Sequence, residues 1–261
     1  MSFLIGLIAG VFGGLVGIGG GILMIPLMVN LRKLEQHKAL GTSLVALVFT
    51  GIIGAFTYAL HDSVDLWAAL LLAAAALWPA RIGAKYCCDL PEIKLKKFFG
   101  VFLIFISVLI LSKPYLPIFF NPGIVTRSLI LIVTGAVTGF LSGLLGVGGG
   151  AVMISGMVLL AGFDQHLAQG SSLLAIVPAG IMGAFIHWRR GNVEKGLLKG
   201  LIPGIILGAF SGGSVVHLFP ESALRIIFAI VLIWMGILFI KKPAQTCEPS
   251  DVNICTYRNL T

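Results

Sequence analysis

The stretch Gly13-Gly14-Leu15-Val16-Gly17-Ile18-Gly19-Gly20-Gly21 and the stretch Ser142-Gly143-Leu144-Leu145-Gly146-Val147-Gly148-Gly149-Gly150 stand 129 residues apart, each inside a long apolar run. Glycine lets the chain adopt positive φ and lets a solute approach bare amides. A half-helix beginning after Gly21 or Gly150 would aim unpaired N–H groups and a positive dipole end inward, which is anion-binding chemistry. The residues concerned are Gly17, Gly19, Gly20 and Gly21, and in the second copy Gly146, Gly148, Gly149 and Gly150. Close helix packing through small residues is the competing role. Three glycines in succession, twice and in register, favour binding, because packing alone seldom needs such a run.

Hydroxyls follow each run. Thr42-Ser43 and Ser171-Ser172 occupy matching positions near the starts of the next apolar elements. They could donate to the same anion, or they could cap helices, an ordinary use of serine and threonine. Asn30, Gln36 and Gln165 could extend the polar lining. His37 and His166 are repeat mates that could couple proton movement to transport, or simply be solvated in interfacial turns. Arg81, two residues after Pro79, could neutralise an anion with its guanidinium or snorkel to the membrane surface. Its repeat mate is Phe210, so any such role is asymmetric.

Composition says where this chemistry must sit. A chain with 58% hydrophobic and 11% charged residues and a mean hydropathy of +1.05 is far from a soluble domain. No charge lies between Arg127 and Asp164 or between Arg225 and Lys241, spans long enough to cross a bilayer. The net charge of +8 does not imply nucleic acid, because the basic residues sit in short turns between apolar segments. No signal peptide is expected, since Met1-Ser2 lacks a charged n-region. Cys87, Cys88, Cys247 and Cys255 have neither metal-ligand nor redox spacing, so no metal site or cofactor is expected. An enzyme is not expected either: no acidic pair lies within a span, and the glycine spacing lacks the strand context of a nucleotide-binding fold.

The offset extends well beyond the glycines. Gln36-His37 matches Gln165-His166, Gly51 and Gly54 match Gly180 and Gly183, and Pro91-Glu92 matches Pro220-Glu221. The chain therefore reads as a duplicated unit. It divides into a first transmembrane repeat over 1–112, a linker over 113–126, a second repeat over 127–240 and a polar tail over 241–261. Each repeat contains four apolar elements. The first, near 3–31, is about 28 residues, or about 42 Å as one helix against a hydrocarbon core of about 30 Å. If each glycine-bearing element turns back instead of crossing, the repeats are inverted and 15 of the 18 Lys and Arg fall on one side. That bias predicts both termini in the cytoplasm. The expected fold is an all-α polytopic membrane protein of two inverted four-element repeats, each with a broken or re-entrant glycine-rich first helix.

With its doubled glycine run, its Gln-His-x-Ala-x-Gly-[Thr/Ser]-Ser repeats and its four-element halves, the chain resembles the TauE/SafE family over roughly 3–240. These are membrane permeases linked to export of sulfite and organosulfonates. The resemblance implies a secondary transporter in the cytoplasmic membrane that moves a small sulfur oxyanion or organosulfonate by alternating access. Its partners would be the anion, the lipid bilayer and a coupling proton or sodium ion. An anion channel and a non-transporting structural membrane protein are the rival readings.

Overall fold

The computed structural model of the protein describes residues 2–86, 92–112, 123–145, 149–189 and 191–241. The helices in chain order are α1 (Ser2–Val16), α2 (Gly21–Arg32), α3 (Gln36–Ala59), α4 (Leu66–Tyr86), α5 (Glu92–Ser112), α6 (Ile124–Leu145), α7 (Gly150–Leu159), α8 (Gln165–Arg189), α9 (Lys195–Val215) and α10 (Glu221–Lys241). A 3₁₀ turn, Val216–Leu218, follows α9. No strand occurs among the described residues. Among the described residues, five segments are long and apolar enough to cross a membrane: Lys38–Ala59, Ile124–Ser142, Gln165–Arg189, Lys195–Leu218 and Glu221–Leu238. Shorter apolar runs lie in α4 and α5, over Leu66–Ala80 and Gly100–Ser112. The protein is an all-α polytopic membrane protein.

The first glycine run breaks the helix between α1 and α2. Gly17, Gly19 and Gly20 have φ of 78°, 87° and 71°, where a side chain would be strained and an α-helix cannot continue. A straight helix would carry Gly20 about 16 Å from Ala9. Instead a Cβ at Gly20 would strike the Ala9 carbonyl oxygen, so the chain has doubled back. The arms close at their mouth, where Arg32 Nη2 donates to Ser2 Oγ at 2.7 Å. At 15 and 12 residues, the arms are about 22 and 18 Å long, too short to cross. The second copy differs in its first arm: α6, at 22 residues, is long enough to cross, and only the 10-residue α7 is short. Gly149 abuts Thr138, the repeat mate of Ala9, and Arg127 Nε donates to the Ala161 carbonyl at 3.1 Å. The Arg127 guanidinium also lies 4.2 Å over the Phe163 ring.

The closest packing joins one half of the sequence to the other. Along α1, Gly6, Gly10 and Gly14 face the backbone of α9 at Leu201, Ile205 and Ala209. Along α6, Gly135 and Gly139 face the backbone of α4 at Leu72 and Ala76, the repeat mates of Leu201 and Ile205. Helices α3 and α8 pack on each other: Gly51 and Gly54 against Leu173, and Gly180 and Gly183 against Leu47 and Leu44. Mates thus make mate contacts throughout, as a two-fold relation requires.

Chain direction follows from these contacts. At one end of the bundle lie Ser2 and Arg32, the Gly41–Asn192 contact and Gly200 beside Ser2. At the other lie the turn after α3, Arg127 with Ala161, the start of α8 and the end of α9. The turns there also correspond. Asp62 (φ 53°) closes α3 with Ser63 N donating to Tyr58 O, and Gly191 (φ 72°) closes α8 with Asn192 N donating to His187 O.

The zippers set the sensitivity of the fold. A methyl at Gly10 would lie 2.8 Å from the Ile205 oxygen. Gly10→Ala should therefore cost about 1–3 kcal/mol, read as a lower melting temperature in detergent. Gly123→Ala, at a position with nothing within 4 Å, should change stability by no more than about 0.5 kcal/mol.

Candidate functional site

The two glycine turns meet inside the bundle. A Cβ at Gly150 would sit 2.9 Å from Ile18 Cα, so the N-terminus of α7 abuts the turn that precedes α2. Gly17, Gly19, Gly20, Gly21, Gly149 and Gly150 are all buried, and Ile18 is 2% exposed. Gly146 and Gly148 lie outside the described residues.

The amides of Gly19, Gly20 and Gly21 make no hydrogen bond among the described residues. The first backbone bonds of α2 run from Leu23 and Met24 N–H to Gly20 O, and no side chain caps Gly20. In α7 the same pattern recurs from Val152 and Met153 to Gly149 O, again without a side-chain cap. Ahead of α2 the left-handed Gly19 and Gly20 turn adjacent N–H groups toward one side, an anion-binding concavity, whereas Gly149 ahead of α7 is right-handed at φ −97°.

The hydroxyls divide into two roles. Ser172 Oγ, fully buried, reaches Gly17 O at 3.0 Å and Gln169 O at 2.8 Å, so it stands against the first glycine turn. Ser43 bonds within its own helix, to Leu40 O at 2.8 Å. Thr42 and Ser171 act across the halves. Thr42 Oγ1 donates to Lys38 O and accepts from Glu194 N at 3.0 Å, at the N-cap of α9. Ser171 Oγ accepts from Asp65 N at 2.8 Å, just before α4. Both are capping hydroxyls, but the helix each one caps belongs to the other half.

Two further polar groups stand at the turns, and the sequence reading did not include them. Gln169, 1% exposed, packs its side chain on Gly17 and accepts the Tyr58 hydroxyl at 3.0 Å on Oε1, while its Nε2 has no partner. Thr138, also 1% exposed, packs against Gly149, and its Oγ1 has no partner. Unpaired buried donors are costly, so each marks a place where a ligand could complete the bonding. A sequence signal existed for Gln169: it lies one helical turn after Gln165, which is fully buried with both amide atoms unpartnered.

Of the remaining candidates, Arg81 lies in the last turns of α4, with its side chain outside the described residues, as are those of His37, Gln36 and Asn30. His37 and His166 are at opposite ends of the bundle, so they share no site. A groove of about 400 Å³ runs along Val45, Val48 and Phe49 of α3 and Ile181, Phe185 and Trp188 of α8. Its lining is almost wholly apolar and offers nothing to an anion.

The family model described as "Sulfite exporter TauE/SafE" matches residues 1–110 and 130–257. The chain belongs to the TauE/SafE family. Among curated TauE/SafE relatives, "Probable membrane transporter protein YunE" of Bacillus subtilis is 30% identical, covering 90% of this chain and 96% of that one. "Probable membrane transporter protein YdhB" of the same organism is 25% identical over 86% of this chain and 91% of that one. A "Probable membrane transporter protein" of Xylella fastidiosa is 27% identical, with 87% and 89% covered. No solved structure matches. Family and relatives alike identify this TauE/SafE chain as a membrane transporter.

The exchanged caps yield a paired expectation. Thr42→Val and Ser171→Ala each strand a backbone N–H and should each cost about 1–3 kcal/mol of stability in detergent melts. Ser128→Ala, which loses only a surface bond to Ile124 O, should be neutral.

Proposed function

We propose that this transporter moves a small anion, a sulfur oxyanion or organosulfonate, which binds where the two glycine turns meet. The carrying observation is the pairing of unbonded amides at Gly19–Gly21 with the free donor Gln169 Nε2 beside them, both buried in a membrane bundle. An anion there would receive main-chain N–H groups from α2 and α7, the Gln169 amide and the Thr138 hydroxyl. Ser43 and Ser172 shape the adjoining wall, and Thr42 and Ser171 hold the helices that frame it. The printed family name, sulfite exporter, favours a sulfur oxyanion as cargo.

The two hairpins enter and leave at opposite ends of the bundle, which supports inverted repeats in the membrane. The end bearing Arg32, Lys33, Lys195 and Lys199 then faces the cytoplasm by its excess of Lys and Arg, and both termini lie there in a multi-pass cytoplasmic-membrane protein. The buried turns correspond to an occluded state. Alternating access would open it by shifting the α1–α9 unit against the α4–α6 unit. These tight pairs cross the sequence halves, so the moving bodies follow the interfaces. Coupling to an ion gradient suits a chain with no nucleotide-binding motif, and a catalytic role finds no support in its residues.

Gln169→Leu tests the site with little change of shape. In proteoliposomes, uptake of thiosulfate or sulfoacetate should fall by about tenfold or more, as expected for losing a charge-assisted bond of about 1.5–3 kcal/mol. The melting temperature without anion should stay close to wild type. Uptake unchanged in this variant, or linear and unsaturable flux in the wild-type protein, would defeat the proposal, the latter in favour of a channel. Saturating anion at 100 times Kd should stabilise the wild-type protein by about 2.7 kcal/mol. A protein whose glycines serve only packing would show no such shift.

A further inference from the structure

Outside the glycine turns, titratable side chains gather most closely in a stack of three imidazoles. His61 comes from the turn after α3, His217 from the 3₁₀ turn after α9, and His166 from the first turn of α8. His217 is the middle ring. Its centroid is 4.0 Å from that of His61, with 12° between the planes, and 5.3 Å from that of His166, with 17° between them. Tyr58 meets His217 edge-on at 5.0 Å. The Tyr58 hydroxyl is shared between Gly14 O at 3.1 Å and Gln169 Oε1 at 3.0 Å. A continuous set of contacts therefore runs from the imidazoles to the glutamine seated on Gly17.

The ring nitrogens have unmet capacity. His61 Nδ1 faces Thr57 O at 3.0 Å, so it carries hydrogen and leaves Nε2 to accept a proton. His166 Nδ1 and His217 Nε2 are buried without partners. A metal ion does not suit the trio, because parallel rings point their lone pairs along separate planes instead of at one centre. Among the described residues no group of three or more metal-ligating side chains could hold a metal ion. A proton does suit it. One imidazolium stacks favourably on a neutral ring face, whereas two adjacent imidazoliums repel.

The surrounding charges do not compete for this role. From the neighbouring elements, Asp65 Oδ1 accepts Ala68 N at the start of α4, and Glu221 pairs with Arg225 at 2.6 Å on α10. Asp62 sits at the exposed turn after α3 and Asp164 is exposed before α8. Tyr58, the ionisable group of α3 here, is committed to Gly14 and Gln169.

We propose that His61, His217 and His166 form one site for a single shared proton, coupled through Tyr58 and Gln169 to the glycine turn of the first half. The coupling rests on the anion reading above, while the proton site does not. A proton on the stack adds positive charge at the end of the contacts that run through Tyr58 and Gln169, so proton and anion bind with positive cooperativity. By linkage, the anion raises the proton affinity by the same factor as the proton raises the anion affinity. Both then travel together, as proton-driven movement of an anion requires.

Histidine NMR of the purified full-length protein tests the site. In the wild type, the three rings should titrate as one coupled group, the first proton moving the shifts of all three and the next entering only at lower pH. In His217→Phe, which keeps an aromatic ring between the outer two, His61 and His166 should titrate independently. Three independent titrations in the wild type overturn the site. Melting shifts with thiosulfate, whose charge is constant near neutral pH, test the coupling. Apparent affinity should be roughly 5- to 150-fold higher at pH 6 than at pH 8 in the wild type, and should differ by less than about twofold in His217→Phe. Equal affinity at both pH values in the wild type overturns the coupling. No shift with thiosulfate or sulfoacetate at either pH counts against the anion reading, and the NMR titration then decides the proton site by itself.

Discussion

A polypeptide in hydrocarbon cannot leave its backbone N–H groups open to lipid, and that constraint governs how this protein accommodates two broken helices. The first break is made by Gly17, Gly19 and Gly20, and the described residues beside both breaks are covered by the opposite half of the chain. The turn at Gly17 is covered by Gln169 and Ser172 from α8, and Gly150 lies against Ile18. The cost of interrupting a helix is met by burial where the halves meet, away from lipid.

Exchange between halves recurs at every level of packing. Helix α1 nests on α9 and α6 nests on α4, with glycines letting the backbones touch. Thr42 caps the start of α9, and Ser171 caps the residue that opens α4. Each half lends a hydroxyl to the start of a helix in the other and covers the other's glycine stripe. The closest interfaces therefore run between the sequence halves.

Several features were legible from the residues alone. The glycine runs mark the breaks, and the structure places the new helices at Gly21 and Gly150, where the runs end. The excess length of the first element pointed to a turn back, and the Arg32–Ser2 contact closes that hairpin. Other features were not legible. Thr42 and Ser171 looked equally suited to a substrate or a cap, and their partners are 152 and 106 residues away. His166 was noticed beside its mate His37, yet its actual neighbour is His217, which has no histidine mate in the first half. Gln169 gained its importance only through the packing of α8 on a turn far away in sequence.

What the sequence by itself determined was local and periodic: apolar spans, the positions where glycine permits left-handed backbone, and a duplicated register. These follow from each residue's own conformational freedom and its transfer into lipid, so they need no knowledge of partners. The tertiary structure alone decided which hydroxyls are consumed as caps, which donors stay free at the glycine turns, and that three histidines from separate segments stack. Those outcomes depend on bringing together atoms more than a hundred residues apart, and two-fold packing of the halves, not local preference, selects them.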